Sequence, residues 1–318
     1  MQKIISIVTP CFNEEENVME VYQQVKDIFA QIAGYRYEHI FIDNASTDKT
    51  VQILREIAKN DFNIKVIINS RNFGAARSPY HALLQSRGDA TIVVMADLQD
   101  PPPIIKNLVK KWEEGYKLVL AVKEKSEESS IMFAIRQLYY NTYNKLSNIQ
   151  IVSNYCGFGL YDKAIIDILR KLDDPYPDLR SLLGEIGFER AILTYVQPKR
   201  KRGKTKNNFY NLYDQAMLGI TRDSIIPLRL ASFIGFFVAA LNLLVAAGYF
   251  IYKIIYWDNF QLGIAPLVIG IFFFGGVQLF FLGIIGEYIG AIFTQVKKRP
   301  LVIEKERINF DYFNGANL

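Results

Sequence analysis

The stretch ATIVVMADLQDPP, residues Ala90–Pro102, decides the fold class of this 318-residue chain. Its first half holds an uncharged run rich in β-branched residues, Thr91–Val94, which predicts a strand buried on both faces of a sheet. Prolines cannot continue a strand, so the chain is expected to turn just past Asp97. Open α/β sheets bind their ligands at the carboxyl ends of the strands. The stretch therefore predicts carboxylates at a ligand-binding edge, although an Asp97 that serves only as a turn cap fits the same pattern.

Segments typical of strands and helices alternate around this stretch. The predicted strands are Ile4–Thr9, His39–Ile42, Ile64–Ile68, Ala90–Asp97 and Lys117–Val122. The segments between them carry apolar residues at helical spacing, for example Val18, Val21 and Val25. This alternation predicts an α/β fold with a mostly parallel, Rossmann-like sheet and flanking helices. The sequence contains no G-x-G-x-x-G or G-x-x-x-x-G-K-[ST] motif, which disfavours dinucleotide and P-loop sites.

Two uncharged segments in the last third of the chain are long enough to cross a membrane. Leu230–Ile251 and Leu262–Ile285 each reach the ~20 apolar residues that a spanning helix needs. Core helices of a soluble protein are the alternative, which two such lengths in succession disfavour. Arg222 and Arg229 precede the pair, and Lys297–Arg299 follow it. Since positively charged flanks stay inside, we expect a multi-pass plasma-membrane protein with its soluble domain and both termini in the cytoplasm.

Small residues in the second span indicate close packing between helices. They are Gly270, Gly275, Gly276, Gly283 and Gly286. The sequence leaves open whether this packing occurs within the two-helix hairpin or between subunits of a homo-oligomer.

Charge and cysteine content narrow the class of partner. The net charge is +5, and basic residues cluster at Lys199–Lys206 and Lys297–Arg299. Such clusters indicate phosphate groups or a lipid surface as partners, and not nucleic acid. The only cysteines are Cys11 and Cys156, which form neither a disulfide framework nor a zinc-binding pattern. A reducing cytosol is therefore the simpler compartment.

Seven short motifs occur in the order found in one enzyme family. They are Thr9–Glu14 (TPCFNE), Asp43–Asp48 (DNASTD), Arg71–Gly74 (RNFG), Asp97–Pro101 (DLQDP), Gly157–Tyr161 (GFGLY), Arg200–Lys206 (RKRGKTK) and Gly286–Gly290 (GEYIG). The first four resemble the inverting glycosyltransferases of family 2, which have the GT-A fold. With the last three and the two spans, the chain resembles the polyprenyl-phosphate glycosyltransferases, related to dolichyl-phosphate mannose synthase and bacterial undecaprenyl-phosphate glucosyltransferases. The resemblance covers nearly the whole chain.

This resemblance implies inverting transfer of a single sugar from a nucleotide sugar, most simply UDP-glucose, to undecaprenyl phosphate on the cytosolic leaflet. The product, a polyprenyl-phosphate sugar, would serve cell-envelope or lipid-linked glycan modification. Four regions are implied: a cytosolic GT-A domain over 1–206, an interfacial helix region over 207–228, two transmembrane helices over 229–293 and a cytosolic tail over 294–318. An ordinary domain-packing helix is the alternative for residues 207–228.

The resemblance also implies a nucleotide-sugar site at the first strand ends. Pro10 and Phe12 would flank the base, while Glu14 and Asp43 would accept hydrogen bonds from the base or the ribose. Asn72, Gly74 and Asp97 would complete the donor site. Structural roles are the alternatives: Glu14 can compensate the positive end of a helix, and Asp43 can form a turn.

Metal and phosphate contacts are implied by the later motifs. Asp97 and Gln99 would hold Mg²⁺ or Mn²⁺, which prefer oxygen ligands and would neutralise the donor diphosphate. Arg200 and Lys206 match the family pattern Arg-x-x-Gly-x-Thr/Ser-Lys and would clamp a phosphate of the donor or of the lipid. Arg136 lies in a segment, FAIRQLYYNTY, that resembles the region where the family has a donor-phosphate arginine. A basic run that meets anionic headgroups is the alternative for Arg200 and Lys206.

The chain departs from the family pattern in two motifs, the second of which lacks both its aspartate and its arginine (Gly159 here). The first aspartate of the usual Asp-x-Asp falls on Met95, and the aspartate of a common Gly-Asp-Phe-Arg-Leu motif falls on Gly157. A thioether is a poor ligand for Mg²⁺ or Mn²⁺. No general base is evident, and none is required, because a lipid monophosphate with a second pKa of ~6 is already mostly ionised at neutral pH.

Three other functions remain as alternatives. A processive polysaccharide synthase would carry Gln-x-x-Arg-Trp, whereas Trp112 and Trp257 follow Lys111 and Tyr256. A nucleotidyltransferase would carry a Gly-rich, Lys-bearing entry loop, which is missing. A membrane-anchored nucleotide-sugar-binding scaffold with a decayed catalytic domain is favoured by Met95 alone.

Overall fold

The computed structural model describes residues 2–125, 143, 149–198, 219, 221, 224–256 and 263–310. Three predicted site residues, Arg136, Arg200 and Lys206, lie outside these ranges, as does most of the predicted interfacial region 207–228. The chain forms two compact units. The first comprises Met1–Tyr140, Ile149–Asn207 and Lys297–Leu318, and the second comprises Asn141–Asn148 and Asn208–Val296.

An eight-stranded sheet runs through the first unit. Its strands are β1 (Lys3–Cys11), β2 (Tyr35–Asp43), β3 (Ile64–Asn69), β4 (Ala90–Val93), β5 (Leu118–Lys125), β6 (Tyr155–Asp162), β7 (Arg190–Val196) and β8 (Glu304–Ile308), in the order β7-β5-β6-β4-β1-β2-β3-β8. The pairs β1–β2, β1–β4, β2–β3 and β5–β7 are parallel, whereas β4–β6, β5–β6 and β3–β8 are antiparallel. The predicted α/β fold with a mostly parallel sheet is confirmed.

Amphipathic helices accompany this sheet. They are α1 (Val18–Gln31), α2 (Thr50–Asn60), α3 (Gly74–Gln85), α4 (Ile105–Glu113), α5 (Lys163–Leu172) and α6 (Leu179–Ile186), with a 3₁₀ turn at Pro102–Ile104. Helix α1 buries the predicted apolar face, including Val18, Val21 and Val25. Burial of such stripes against the sheet is the main favourable contribution to folding.

The strand predicted within the stretch Ala90–Pro102 is fully buried but shorter than predicted. β4 covers Ala90–Val93, all of them inside the core, whereas the prediction extended to Asp97. Val94 still donates its backbone N–H to Val8 at 2.9 Å, and the chain then leaves the sheet. Leu98 has a φ of 57°, so the turn is completed in the left-handed region just after Asp97.

The last strand follows the two apolar helices in sequence. β8 pairs antiparallel with β3 and forms an edge of the sheet. Glu304 in β8 lies 2.6 Å from Nε2 of His81 in α3, and Asn309 donates to the carbonyls of Ala58 and Ile64 at 2.7 and 2.9 Å. The region 294–318, expected to be a cytosolic tail, thus contributes a strand to the sheet.

The second unit contains two long apolar helices, α7 (Ile226–Ile255) and α8 (Ile264–Val296). An 18-residue window of α7 has a mean hydropathy of 2.3, and one within Ile269–Val296 of α8 has 2.1, so both helices are long and apolar enough to cross a membrane. Tyr288 donates from its hydroxyl to the carbonyl of Ser224 at 2.7 Å, which ties the end of this hairpin together.

The hairpin contact does not use the glycines that the sequence singled out. A Cβ added at Gly235 in α7 would lie 3.9 Å from the ring of Phe281 in α8. A Cβ added at Gly270, Gly275, Gly276, Gly283 or Gly286 would meet none of the described residues within 4 Å, the helix's own backbone apart. Packing within the hairpin therefore gives no reason for these five glycines.

Candidate active site

The carboxyl ends of three neighbouring strands bring predicted site residues to one edge of the sheet. β1 lies between β2 and β4 and runs parallel to both. Cys11 pairs with Asp43, and Val8 pairs with Val93 at the end of β4, so the loops that follow emerge side by side. The predicted residues on these strand ends and loops are Pro10, Phe12, Glu14, Asp43, Asp97 and Gln99.

Asp43 is the last residue of β2, and only one of its two carboxylate oxygens accepts a hydrogen bond from the described residues. Its side chain is fully buried, and Oδ1 accepts a hydrogen bond from the backbone N–H of Ser46 at 2.9 Å. Oδ2 is buried and has no partner in the described part of the chain. Burial raises the pKa of this carboxyl. Asp43 therefore forms a turn and also presents an unsatisfied oxygen, so the two interpretations of this residue are compatible.

Glu14 is tied to the start of α1. Its carboxylate accepts from the side-chain amide of Asn17 at 2.6 Å, and its carbonyl accepts from the N–H groups of Asn17 and Val18. Its own N–H donates to Oγ1 of Thr50 at 2.9 Å. These contacts support the helix-start role. Glu14 is nevertheless only half-buried and lies at the predicted edge.

Asn44 organises the loop that carries Asn72 and Gly74. Its Oδ1 accepts from the N–H of Phe73 at 2.9 Å and from the amide of Asn69 at 3.1 Å, and its Nδ2 donates to Oδ1 of Asn72 at 2.9 Å. Gly74 has a φ of 89° and donates its N–H to the same Asn72 oxygen at 2.8 Å. The Asn72 oxygen is thus used inside the loop, and Asn44 and Asn69 are supporting residues that the sequence did not assign.

The proposed metal ligands lie in a tight turn after β4. Oδ1 of Asp97 accepts from the N–H of Gln99 at 3.1 Å, and both side chains are half-buried. Within the described ranges, no group of three or more His, Cys, Asp or Glu residues surrounds a common point. Mg²⁺ commonly takes one or two protein carboxylates and completes its shell with substrate phosphates and water. One carboxylate and one amide oxygen fit a metal that is bound together with the donor.

Asp100 and Tyr195 form a buried pair next to this turn. The Tyr195 hydroxyl donates to Oδ1 of Asp100 at 2.6 Å, and Oδ2 of Asp100 has no partner among the described residues. Burial raises the pKa of both groups. Asp100 stood in a recognised motif, but nothing in the sequence linked it to a tyrosine on β7.

Met95 lies next to Gly157, which belongs to the other motif that departs from the family pattern. Its Cε lies 4.0 Å from the position that a Cβ on Gly157 would occupy. Gly157 has a φ of 101°, a conformation that side-chain-bearing residues rarely adopt. The two departures from the family motifs are therefore neighbours in space.

Neither histidine lies at this edge. His39 is fully buried within β2, and its Nε2 lies 2.8 Å from Oγ1 of Thr9. Burial lowers the pKa of His39 to about 3, so this ring stays neutral at physiological pH. His81 contacts Glu304 of β8, the edge strand next to β3.

Comparison with known proteins matches the chain to one family and to several relatives. The profile of the family described as Glycosyl transferase family 2 matches residues 6–169. The chain is 33% identical over 303 residues to the bactoprenol glucosyl transferase of Shigella phage SfII, covering 95% of this chain and 97% of that protein. It is 34% identical over 299 residues to the uncharacterized glycosyltransferase YkcC of Bacillus subtilis (strain 168), covering 94% and 92%.

Among solved structures, the chain is similar to glucosyl-3-phosphoglycerate synthase from Mycobacterium tuberculosis in complex with Mn²⁺, uridine diphosphate and phosphoglyceric acid. The identity is 19% and the TM-score is 0.45, over 69% of this chain and 76% of that one.

Proposed function

The chain belongs to Glycosyl transferase family 2, and we propose that it transfers one glucose from UDP-glucose to undecaprenyl phosphate with inversion at the sugar carbon. The observation that carries the proposal is the extent of the similarity to a bactoprenol glucosyl transferase, which covers 95% of this chain. The similarity therefore includes residues of both units.

The site geometry supports a nucleotide-sugar donor. Asp43 offers a buried, unsatisfied oxygen beside the half-buried Pro10 and Phe12, which suits an N–H of a base held by flanking apolar groups. The turn at Asp97 lies two strands away on the same edge of the sheet, with β1 between β2 and β4. Adjacent strands are about 4.8 Å apart, so the base and the diphosphate of one donor can reach both places.

The proposed reaction forms one bond and breaks one. An oxygen of the lipid phosphate attacks the anomeric carbon of glucose, and the bond from that carbon to the donor diphosphate breaks, so UDP leaves with the electron pair. The attacking oxygen is already mostly ionised at neutral pH, so the chain needs no general base. Positioning of two anionic substrates is its main task. A Mg²⁺ or Mn²⁺ ion held by Asp97 and Gln99 would neutralise charge on the departing diphosphate.

Three basic residues would complete phosphate binding. Arg200 and Lys206 would hold a phosphate of the donor or the lipid, and Arg136 would hold a donor phosphate. Arginine offers a two-pronged donor and lysine a point charge, and both suit phosphate oxygens. Their assignment rests on the sequence motifs.

The connectivity supports a cytoplasmic catalytic domain. The first unit is interrupted after Asn207 and resumes at Lys297, directly after α8 ends at Val296. A chain that crosses a membrane twice returns to the side that it left, which agrees with both ends of the hairpin joining one sheet. The basic residues Lys297–Arg299 favour the cytoplasm for that side.

A processive synthase is disfavoured by the position of Trp112. Its Nε1 donates to Asp162 at 2.8 Å, and its ring belongs to the core between α4 and the sheet. This tryptophan supports the fold and is not available at the active edge.

The proposal is tested with the purified full-length protein in lipid nanodiscs containing undecaprenyl phosphate. With UDP-[¹⁴C]glucose and Mg²⁺, we expect label in the organic-solvent phase as a mild-acid-labile lipid. The Asp97→Asn variant is the negative control, and GDP-mannose and UDP-N-acetylglucosamine test the donor. Donor binding without transfer to any polyprenyl phosphate would favour the scaffold alternative instead.

A further inference from the structure

Two arginines lie against the buried ring of Phe73, at the end of the sheet next to β8, and a third arginine lies close to one of them. The guanidinium carbon of Arg71 lies 4.0 Å from the centre of the Phe73 ring, and that of Arg77 lies 5.7 Å from it. Arg77 also donates to the backbone carbonyl of Pro300 at 2.5 Å, which brings in the neighbouring Arg299. Arg71 and Arg299 are exposed to solvent, and Arg77 is half-buried.

The position of Arg77 is electrostatically unfavourable in the protein alone. It lies in the first turn of α3, which contains no acidic residue, and a cation at this end of a helix opposes the helix dipole. Its Nε is buried and has no partner among the described residues. The pKa of Arg77 is lowered by burial and by the charges of Arg71 and Arg299.

No carboxylate of the described ranges forms an ion pair with any of these three arginines. The nearest acidic residue of β8, Glu304, is engaged by His81 and Arg307. Like charges that are held together without a counter-charge repel one another and destabilise the folded chain, and a bound anion relieves that repulsion. The cluster is therefore shaped for an anionic ligand.

We propose that Arg71, Arg77 and Arg299 form a binding site for a phosphate group. Guanidinium groups match phosphate oxygens with paired hydrogen bonds, and the start of α3 adds its positive dipole. The proposal rests on the proposed function for its two candidate sources: the headgroup of an anionic phospholipid or a phosphate of the nucleotide donor.

The arginine cluster is separate from the turn at Asp97 and Gln99, which holds the proposed metal ligands. Arg71 follows β3, whereas Asp97 follows β4, and β1 and β2 lie between these strands. Three strand spacings correspond to about 14 Å between the strand axes, which disfavours the donor diphosphate as the source of the phosphate.

Chain connectivity favours the headgroup as the source. Arg299 follows Val296, the last residue of the apolar helix α8, by three positions. Three residues span at most about 10 Å, so Arg299 stays close to the end of a helix that is long and apolar enough to cross a membrane. Basic residues at such a position attract anionic lipids.

The test uses Arg71→Gln and Arg299→Gln, alone and combined, in the full-length protein. Arg77 is left intact because its contact with Pro300 holds the C-terminal segment. Arg36→Gln, an exposed arginine near the amino end of β2, is the matched control. Retention of phosphatidylglycerol is measured by native mass spectrometry, and the KM for UDP-glucose is measured in nanodiscs of neutral lipid.

We expect the double variant to retain phosphatidylglycerol about tenfold less well than wild type and Arg36→Gln to retain it as well as wild type. A further variant, Arg71→Lys, keeps the charge and should retain the lipid better than Arg71→Gln. An unchanged retention together with a raised KM for UDP-glucose would identify the donor as the source of the phosphate. If neither quantity changes, the cluster is not a phosphate site. Lipid retention needs no catalysis, so this readout stays valid even if glucose transfer fails.

Discussion

The hydroxyl of Tyr195 donates a 2.6 Å hydrogen bond to Oδ1 of Asp100, a carboxylate that is only 2% exposed. The bond joins the end of β7 to the turn that carries Asp97 and Gln99. β7 is also the strand that leads into the basic segment Lys199–Lys206. A single buried contact thus links the proposed metal turn to the start of the proposed phosphate clamp.

Replacing this hydroxyl is expected to weaken donor binding. Tyr195→Phe leaves Oδ1 of Asp100 buried without a partner, which costs about 1–3 kcal/mol and loosens the Asp97 turn. We expect a several-fold rise in the KM for UDP-glucose and in the Mg²⁺ concentration needed for half-maximal activity. Tyr35→Phe is the control, because Tyr35 bonds Glu113 on an exposed surface. A fall in melting temperature with unchanged KM and Mg²⁺ dependence would show that the Tyr195–Asp100 pair has only a structural role.

Asp97→Asn is expected to abolish transfer while the protein still folds and inserts. The substitution keeps the shape of the side chain but removes the charge that would hold the metal. The loss should be about a hundredfold or more, since a bound metal supplies several kcal/mol of charge stabilisation. Turnover of the purified variant is measured against metal-dependent wild type, with gel filtration as the folding check. Near-normal turnover would show that the metal assignment is wrong.

Arg200→Ala and Lys206→Ala are expected to reduce activity strongly. A hydrogen bond to a charged group contributes about 1.5–3 kcal/mol, so each truncation should cost roughly ten- to a hundredfold. Lys201→Ala is the matched control, because Lys201 belongs to the same basic run but not to the motif. Binding of UDP to the solubilised variants then distinguishes a donor phosphate from a lipid phosphate. If all three variants behave alike, the run acts only as a headgroup contact.

The parts of the fold that the sequence predicted are those set by a local pattern of residues. The β-branched run before Asp97 predicts a buried strand, and the uncharged lengths of α7 and α8 predict long apolar helices, because each pattern lies within one continuous segment. No local pattern predicts the pairing of β8 with β3, since it joins Ile308 to Val66 and the two apolar helices lie between these residues in the sequence. Most of the site behaves likewise: Asp97 was predicted, whereas its link through Asp100 to Tyr195 depends on the register of β7.

The buried His39 predicts a specific pH dependence of stability. Its pKa is about 3 in the folded protein and close to 6.5 when the chain is unfolded. Below pH 6.5 the unfolded chain binds a proton at His39 and the folded chain does not. The free energy of unfolding therefore falls by about 1.4 kcal/mol per pH unit down to about pH 3. His39→Gln cannot titrate, and its melting temperature should fall less than that of wild type between pH 7 and pH 5. Parallel curves for the two proteins would contradict this assignment.

Met95 predicts that metal binding depends on the donor. Its thioether, next to Gly157, supplies no oxygen, so the protein contributes only Asp97 and Gln99 to the proposed site. We expect weak Mn²⁺ binding to the empty protein and much tighter binding once UDP supplies phosphate oxygens, as measured by isothermal titration calorimetry. Met95→Asp should tighten binding to the empty protein by about tenfold or more, because affinity follows the number of anionic ligands.

Met19→Asp, which adds the same charge on the exposed side of α1, controls for net charge and should leave Mn²⁺ binding unchanged. Tight binding of Mn²⁺ to the empty wild-type protein would show that another group replaces the missing carboxylate at position 95. If Mn²⁺ binds in neither state and no transfer occurs, the chain is a nucleotide-sugar-binding scaffold and Met95 marks the loss of its catalytic metal.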